Sequence, residues 1–375
     1  MIPFLQLTPG EDAQAVREAI GRVLERGWFV LGPELEAFER EFADAASAPH
    51  AAGVGTGTDA LALGLRALGI GPGDEVVTAP LSAAYSALAI MMAGATPVFA
   101  DIDPERLTLD PAAAASAVTA RTAAILPVHL YGQAADMPAL CEVARRHSLA
   151  VIEDCCQAHL ATCGGNPVGS FGEAAAYSFY PTKNLGALGD AGALTTPDGA
   201  VAAHVRRLRN GGQRDRDHHV EFGVNSRLDE MQAAVLRARL PLLRRWTDRR
   251  RALARAYRDA LAGLDTIVVP PECDAGHVYH LFVVLSEDRE RARARLRQAG
   301  VDTLIHYPVP IPRQPAVAAT NPDGCPVADR VCARVFSLPL YPALQDGAAG
   351  IAAGALAGRA AIAGSHGRDE HSAGG

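Results

Sequence analysis

The sequence predicts an α/β protein in which a mostly parallel central sheet is flanked by helices and followed by a smaller α+β domain. Between residues 51 and 180, short apolar runs typical of strands alternate with segments whose apolar residues recur at helical spacing. Such alternation is typical of parallel strands with helices on both faces. The chain of 375 residues is also long enough to divide, and we expect a large domain at 1–240 and a smaller one at 241–375.

Two amphipathic helices are expected first. Residues 8–11, Thr-Pro-Gly-Glu, match a capping box with proline at the first helical position. Apolar residues then recur at helical spacing, namely Val16, Ile20, Val23 and Leu24. A second helix is predicted after Pro33, because Leu35, Phe38 and Phe42 fall on one face.

Six strands of the sheet are expected at residues 51–55, 75–78, 97–101, 123–128, 149–154 and 174–180. Helices lie between them, including one that begins near Thr58 and one over residues 137–147. Residues 78–100 carry no charge, but prolines, a glycine and hydroxyl groups interrupt them. We therefore expect a buried helix and a strand there rather than a membrane span. In sheets of this kind, ligands bind at the carboxyl ends of the strands.

The pattern of helical and strand-like segments in the C-terminal third of the chain predicts the smaller α+β domain. A helical pattern runs from Arg227 to about residue 262 with a break at Pro241. Its many arginines indicate a solvated helix face more than a nucleic-acid-binding patch, because apolar residues are interleaved with them. Strand-like runs at 267–269, 277–285 and 301–306 accompany a helix near 289–299. The Ala/Gly-rich tail, residues 346–375, is expected to be weakly ordered at its end.

Composition and charge exclude several classes of function. The formal net charge of −7 argues against nucleic acid as the main partner. The seven cysteines lack the spacing of a metal site, so no metal is expected, and their odd number suits a reduced cytoplasm. The first residues have no basic region and no signal-peptide run, so we expect a cytoplasmic protein without membrane association.

Residues 178–192 hold a lysine, Lys183, directly after an apolar strand-like run. Glycines at 186, 189 and 192 follow, so the chain after the lysine is expected to lie close against another element. Lys183 is either a solvated loop lysine or an amine whose pKa is lowered by desolvation, so that it can form a Schiff base. The lysine alone does not decide between these interpretations.

Two further groups bear on that choice. The glycine turn at 53–58 ends in Thr58 at a helix start, where backbone N–H groups can bind phosphate; alternatively, Thr58 is a plain N-cap. Asp154 ends an apolar strand and either forms a structural ion pair or holds a protonated pyridine nitrogen. A phosphate turn, a carboxylate, Ser178 and a lysine are the parts that pyridoxal phosphate (PLP) needs.

Four motifs in this order resemble the DegT/StrS-type nucleotide-sugar aminotransferases. They are Gly57-Thr-Asp-Ala-Leu61, Glu153-Asp-Cys-Cys-Gln-Ala-His159, Ser178-Phe-Tyr-Pro-Thr-Lys-Asn184 and Asn225-Ser-Arg-Leu-Asp-Glu-Met-Gln232. The resemblance extends to about residue 342. It implies the fold type I PLP-dependent aminotransferase architecture and a homodimer whose active sites are shared between subunits.

The resemblance also implies roles for single residues. Lys183 is the Schiff-base lysine, Asp154 pairs with the pyridine nitrogen, and Gln157 lies beside the ring. The implied phosphate ligands are Gly57, Thr58, Ser178 and, toward the neighbouring subunit, Asn225. The residues that the resemblance places toward the sugar are His159, Tyr180, His306 and Tyr307, of which His159 and His306 are equally explained as core or surface histidines. Ala83 stands where many relatives carry an aromatic residue over the cofactor, and Tyr85 is a candidate substitute.

The implied activity is transfer of an amino group from glutamate, or glutamine, to a nucleotide-linked keto-sugar. The segment around Lys183 is most similar to the branch that aminates dTDP-3-keto-6-deoxyhexoses, in pathways to deoxyamino sugars such as those of antibiotics. A cyclitol (keto-inositol) aminotransferase of the same family would share every motif. A dehydratase on this fold would carry histidine in place of Lys183. A PLP-binding regulator or partner protein without turnover is the alternative from another class.

Overall fold

The computed structural model describes residues 1–317 and 324–358. Within these ranges the strands are β1 (His50–Val54), β2 (Glu75–Thr78), β3 (Thr96–Phe99), β4 (Thr122–Leu126), β5 (Ala150–Asp154), β6 (Thr162–Cys163), β7 (Asn166–Pro167), β8 (Ala174–Ser178), β9 (Gly192–Thr196), β10 (Gln213–Asp215), β11 (His218–His219), β12 (Phe282–Leu285) and β13 (Val335–Leu338).

The helices in the same ranges are α1 (Ala13–Arg26), α2 (Pro33–Ala45), α3 (Gly57–Ala67), α4 (Tyr85–Met92), α5 (Pro111–Ser116), α6 (Met137–His147), α7 (Gly199–Leu208), α8 (Glu230–Arg239), α9 (Leu243–Leu261), α10 (Arg289–Gln298), α11 (Pro326–Arg334) and α12 (Ala348–Leu356). No helix in the described part of the chain combines the length and apolar character that crossing a membrane requires.

Seven strands form the central sheet in the order β1-β9-β8-β5-β4-β2-β3. The strands from β8 to β3 pair in parallel, whereas β9 runs antiparallel to both of its neighbours, β1 and β8. The predicted α/β class with a mostly parallel sheet is therefore confirmed. The carboxyl ends of β5 and β8 lie side by side, since Asp154 pairs with Ala176 in the register.

Aromatic packing fixes α2 against this sheet. The ring of Phe42 lies 5.0 Å from the ring of Tyr177 and 5.0 Å from that of Phe179, both in edge-to-face geometry. The N-terminus of α2 is held from a distance in sequence, because the buried carboxylate of Glu230 accepts hydrogen bonds from the amides of Gly32, Glu34 and Leu35 at 2.8–3.0 Å. This contact joins α8 to α2.

The capping box predicted at residues 8–11 is wrong. Helix α1 begins at Ala13, with Asp12 as its N-cap residue. The Glu11 carboxylate accepts from Arg245 and from the Trp246 indole, and therefore does not cap the helix. The N-terminal segment is thus fixed by α9 rather than by its own capping interactions.

The long helical pattern after residue 227 is confirmed with its break, since a short 3-10 turn at Leu240–Leu242 separates α8 from α9. Beyond it, β12 pairs antiparallel with β13. Together with α9, α10 and α12, these strands enclose a second apolar cluster. The exact division into domains at residue 240 stays a prediction, and the predicted weak order of residues 359–375 lies outside the described residues.

Candidate active site

Lys183 lies in the loop between β8 and β9, close to the carboxyl end of β8. The loop is compact, because the amide of Lys183 donates to the Tyr180 carbonyl at 2.8 Å and the amide of Ala187 donates to the Phe179 carbonyl at 2.7 Å. A Cβ atom on Gly186 would lie 2.6 Å from the Pro181 carbonyl oxygen, so this turn requires glycine. The expected close approach after the lysine is confirmed.

The environment of Lys183 favours the desolvated amine over the solvated loop lysine. The side chain is partly buried. Burial lowers the pKa of Lys183, while the neighbouring Cys156 and Asp154 oppose this with smaller effects, so the net direction is down. A lowered pKa increases the fraction of neutral, nucleophilic amine.

Asp154 is 6% exposed at the end of β5, and its Oδ1 accepts from the Cys156 amide at 3.1 Å. Among the described residues it forms no salt bridge with an arginine, a lysine or a histidine. A close structural ion pair is therefore absent in the described residues, and Lys183 acts on Asp154 only from beyond salt-bridge distance. A buried carboxylate without one is costly, so the site fits a ligand that carries a positive charge, such as a protonated pyridine nitrogen.

The glycine turn, β5 and β8 converge at one point. A Cβ atom on Gly57 would lie 2.7 Å from the Ser178 Cβ and 2.8 Å from the Cys156 Sγ, so glycine is needed there. The N-cap of α3 is Thr56, whose Oγ1 accepts from the Asp59 amide at 3.0 Å. The alternative in which Thr58 is the N-cap is wrong, and Thr58 lies in the first turn of α3, where amides are available to an anion.

Ser226 fastens this turn to the segment that precedes α8, and sequence analysis missed its role. Its hydroxyl accepts from the Gly55 amide at 2.9 Å and donates to Asp59 Oδ2 at 2.7 Å. The adjacent residue, Asn225, is exposed. In the sequence, the only indication of this role was that Ser226 directly follows Asn225 in the fourth motif.

Gln157 and Tyr307 are brought together from distant parts of the chain. The Gln157 amide nitrogen donates to the Tyr307 hydroxyl at 2.9 Å, and its oxygen accepts from the Tyr131 amide at 2.9 Å. Burial raises the pKa of Tyr307 to about 12, and the hydrogen bond from Gln157 opposes the shift. Tyr307 therefore stays a neutral hydroxyl beside Gln157.

The other predicted sugar-facing residues are placed differently. His159 is fully buried against the rings of Tyr177 and Phe179, and neither ring nitrogen has a partner among the described residues. Burial, with a smaller effect of Lys183, lowers the pKa of His159 to about 3, so it is a neutral core histidine in this structure.

The His306 Nδ1 lies 2.8 Å from the Ser337 hydroxyl. Tyr180 is half exposed, and Tyr85 is 62% exposed at the start of α4.

Two buried polar residues near Lys183 were also missed. The Asn184 amide nitrogen donates to the Val278 carbonyl at 3.1 Å, and its oxygen lies 3.3 Å from the His280 Nδ1. Burial lowers the pKa of His280 well below its usual value, with smaller effects from Lys183 and Arg250. In the sequence, the feature that could have pointed to His280 was its position inside the apolar, strand-like run at residues 277–285. The pair ties the loop of Lys183 to the segment before β12.

Glu153, next to Asp154, supports β5 through a buried network. Its carboxylate accepts from the His129 Nε2 at 3.0 Å and from the amides of Gly169, Phe171 and Gly172 at 2.7–3.0 Å. The His129 Nδ1 accepts from the Ala135 amide, so Nε2 carries the proton. Cys155 lies close enough for the three side chains to hold a metal ion, but both histidine nitrogens are already used, which makes this a structural network.

We expect Glu153→Gln to destabilise the fold in a pH-dependent way. Burial acts to raise the pKa of Glu153, but the His129 and amide hydrogen bonds outweigh it and the net direction is down. A lowered folded-state pKa stabilises the protein above the ordinary carboxyl pKa, and this contribution is lost as pH falls through the folded value. Denaturant unfolding should show a loss of about 2–4 kcal/mol at neutral pH that shrinks below about pH 4.

Glu142→Gln is the matched control, because Glu142 is a surface residue paired with Arg145 and Arg146. It should change stability little. A Glu153→Gln protein as stable as the wild type at neutral pH would contradict the assignment of this network.

The strand order, the compact lysine loop and the carboxylate without a cation define the class of protein, a fold type I PLP-dependent aminotransferase. The model of the DegT/DnrJ/EryC1/StrS aminotransferase family matches residues 11–354, and the chain belongs to that family. A dTDP-3-amino-3,4,6-trideoxy-alpha-D-glucose transaminase of Streptomyces venezuelae is 49% identical, with 92% of each chain covered.

Solved structures agree with this assignment. The crystal structure of S. venezuelae DesV in complex with a ketimine intermediate superposes with a TM-score of 0.91 at 47% identity, covering 95% of this chain and 97% of that one. NtdA from Bacillus subtilis, with bound cofactor PMP, superposes with a TM-score of 0.88 at 31% identity, covering 95% and 84%. The cofactor of this chain is accordingly PLP.

Proposed function

We propose that this aminotransferase moves an amino group from glutamate to C3 of a dTDP-linked 3-keto-6-deoxyhexose, in the synthesis of a deoxyamino sugar. The observation that carries the proposal is the desolvated Lys183 amine close to Asp154, a buried carboxylate that forms no salt bridge among the described residues. The likeness to the Streptomyces transaminase supports the choice of sugar, nucleotide and carbon atom. Glutamine is the alternative donor.

The residues of the site have distinct tasks in this proposal. When bound, PLP supplies a ring that accepts electrons from the substrate carbon and carries the amino group between substrates. The amides at Gly57 and Thr58 and the Ser178 hydroxyl would hold its phosphate, to which Asn225 of a second subunit would contribute. Asp154 would keep the ring nitrogen protonated. Gln157, oriented by its contacts with Tyr307 and the Tyr131 amide, lies beside the ring.

Lys183 performs the proton transfers. Its neutral amine takes the proton from the carbon that bears the donor's amino group, and in the second half-reaction its protonated form returns a proton to C3 of the sugar. A lowered pKa suits both steps, since the amine must exist in each protonation state near neutral pH. Tyr180, His306 and Tyr307 are the candidate sugar contacts. His159 would reach a sugar only after Tyr177 or Phe179 moved.

The deciding experiment is an assay of the purified protein, loaded with PLP, with glutamate and dTDP-3-keto-6-deoxyglucose. Mass spectrometry should detect the 3-amino sugar and 2-oxoglutarate. The 4-keto isomer, a UDP-linked keto-sugar and a keto-inositol serve as competing substrates. Faster amination of keto-inositol would favour the cyclitol enzyme. Absence of amine transfer to any acceptor would favour a regulatory role and overturn the proposal.

The proposal includes a homodimer in the cytoplasm. All seven cysteines are free thiols, as suits a reducing compartment. Apolar side chains are exposed near Asn225: Phe222 is 82% exposed and Val220 is 52% exposed, and the Arg66 guanidinium lies 5.4 Å from the centre of the Phe222 ring. An exposed apolar patch of this kind is typical of a protein interface.

We expect Phe222→Asp to weaken this dimer, because the substitution places a charge in an apolar contact. Light scattering after gel filtration should show a dimeric wild type and a largely monomeric variant, with amino transfer reduced in parallel. Ile351→Asp is the matched control, since Ile351 is 48% exposed on α12. A wild-type protein that elutes as a monomer yet is fully active would contradict the shared active site.

A further inference from the structure

A buried turn between β4 and α6 has a left-handed backbone at a residue that is not glycine. Tyr131 has a φ of 60° and a ψ of 4°, and Gly132, which follows it, has a φ of 99°. Tyr131 is 4% exposed. A positive φ is strained for a tyrosine, and such strain persists only where the surrounding structure fixes it. Strained residues cluster at functional sites, so the contacts of Tyr131 indicate what this turn does.

Segment 278–281 holds the turn in place through its backbone. The Val278 amide donates to the Gly132 carbonyl at 2.9 Å, and the Leu281 amide donates to the Tyr131 carbonyl at 3.2 Å. A Cβ atom on Gly132 would lie 2.7 Å from a backbone nitrogen of the same segment, so the close approach requires glycine. The turn is therefore fixed against the segment that also contacts the lysine loop.

The amide and the hydroxyl of Tyr131 reach two other parts of the chain. The amide donates to Gln157 Oε1 at 2.9 Å, and the hydroxyl donates to the His306 carbonyl. The next residue, Tyr307, accepts through its hydroxyl from Gln157 Nε2 at 2.9 Å. These contacts form a closed network, which runs from the Tyr131 amide through Gln157 and Tyr307 back to the Tyr131 hydroxyl. Tyr131 fixes this Tyr131 network at both ends.

The Tyr131 network lies beside the carboxylate at the end of β5. Gln157 follows Asp154 by three residues, and the charge of Asp154 adds to the effect of burial, the main cause of the raised pKa of Tyr307. Burial also raises the pKa of Tyr131 well above its usual value, with smaller effects of Tyr307 and Cys332. Both phenols are therefore neutral, and Tyr131 keeps the proton that it donates.

We propose that Tyr131 is a positioning residue for the cofactor, which fixes Gln157 and Tyr307 in one orientation beside the PLP ring. The inference rests on the proposed function, in which Gln157 lies beside that ring. The Gln157 side chain uses its oxygen and its nitrogen on the network, so neither can rotate without losing a partner. Without the Tyr131 hydroxyl, the His306 carbonyl loses its donor and the Tyr307 end of the network is released.

The test compares Tyr131→Phe with the wild type, because this substitution removes the hydroxyl and keeps the amide and the aromatic ring. The affinity of the cofactor-free protein for PLP, titrated without substrates, should fall by about three- to tenfold, the effect of one hydrogen bond. The circular dichroism of the visible cofactor band, per bound PLP, should also decrease, since the ring is held less firmly in its chiral surroundings.

Tyr177→Phe is the matched control. Tyr177 is also buried, its hydroxyl donates to the Val168 carbonyl at 3.2 Å, and its ring packs against Phe42 of α2. Both variants should lower the melting temperature of the cofactor-free protein, but only Tyr131→Phe should change the PLP affinity and the dichroism. If both variants change these readouts equally, or if Tyr131→Phe changes neither, the role of Tyr131 is structural and the proposal is overturned.

A double-mutant cycle tests whether Tyr131 acts through Gln157. In a Gln157→Ala protein, Tyr131→Phe should change the PLP affinity by less than about twofold, because the network is already open. Fully additive effects of the two substitutions would overturn the route through Gln157. These titrations contain no keto-sugar and no amino donor, whereas the proposed function is scored by amination of the keto-sugar. Failure of one is therefore distinguishable from failure of the other.

Discussion

Replacing Lys183 by alanine is expected to lower amino transfer by at least about 10³-fold, the largest effect of any single substitution. Lys183 is the only lysine among the 375 residues, so no other ε-amine can take its place. Its burial near Cys156 and Asp154 supplies the neutral amine that both proton transfers need. The amino sugar and 2-oxoglutarate formed by wild type and variant should be compared by mass spectrometry.

The single lysine also makes a chemical test unambiguous. Borohydride treatment of the PLP-loaded wild type should leave the mass of the cofactor on the peptide that contains Lys183. Label only on peptides that lack Lys183 would contradict the assignment. Lys183→Arg is the matched control, because it keeps a cation in the loop but cannot form the bond.

The sequence pattern predicted an element correctly where residues close to it in sequence stabilise it. Strand β2 at Glu75–Thr78 and helix α6 at Met137–His147 have the bounds that sequence predicts. In α6 an Asp136 N-cap hydrogen bond and buried apolar residues at helical spacing act together, so propensity and packing agree. The class of fold followed from such agreement, repeated along the chain.

Sequence analysis failed where residues that are distant in sequence determine the local structure. Helix α1 starts at Ala13 because the Glu11 carboxylate binds Arg245 and Trp246 of α9. The N-cap of α3 is a local contact instead, and it falls on Thr56 rather than on Thr58. The supports of Glu153 are backbone amides at residues 169–172, which have no sequence signature. Arg250 was one of many arginines in a helical pattern. Only the tertiary structure shows that it is buried and donates to the carbonyls of Tyr279, His280 and Leu340.

The candidate cofactor site was accessible to sequence analysis because its parts lie at strand ends. Asp154 closes β5, and Lys183 closely follows β8, where parallel strands bring ligand-binding groups together. His159 shows the limit of that argument. It follows Asp154 by only five residues, yet the chain turns after β5 and buries the ring against Tyr177 and Phe179.

Asp154→Asn is expected to lower kcat/KM by about two to four orders of magnitude, the effect of removing one partner of a buried charge pair. The substitution keeps the size of the side chain and an oxygen that can accept from the Cys156 amide. It removes the negative charge that would keep the ring nitrogen protonated. Asp198→Asn is the matched control, because Asp198 is an exposed N-cap residue of α7 and asparagine is an equally good N-cap.

The same substitution should have the opposite effect on the cofactor-free protein. A buried carboxylate without a cation destabilises the fold, so Asp154→Asn should melt at the same temperature as the wild type or higher when PLP is absent. Adding PLP should then raise the melting temperature of the wild type more than that of the variant, because a ligand stabilises in proportion to its affinity for the folded state. Equal shifts in both proteins would mean that Asp154 does not hold the ring. A variant that melts lower without PLP would mean that the carboxylate stabilises the cofactor-free fold through its own contacts, which would contradict its assignment as a group held for the cofactor.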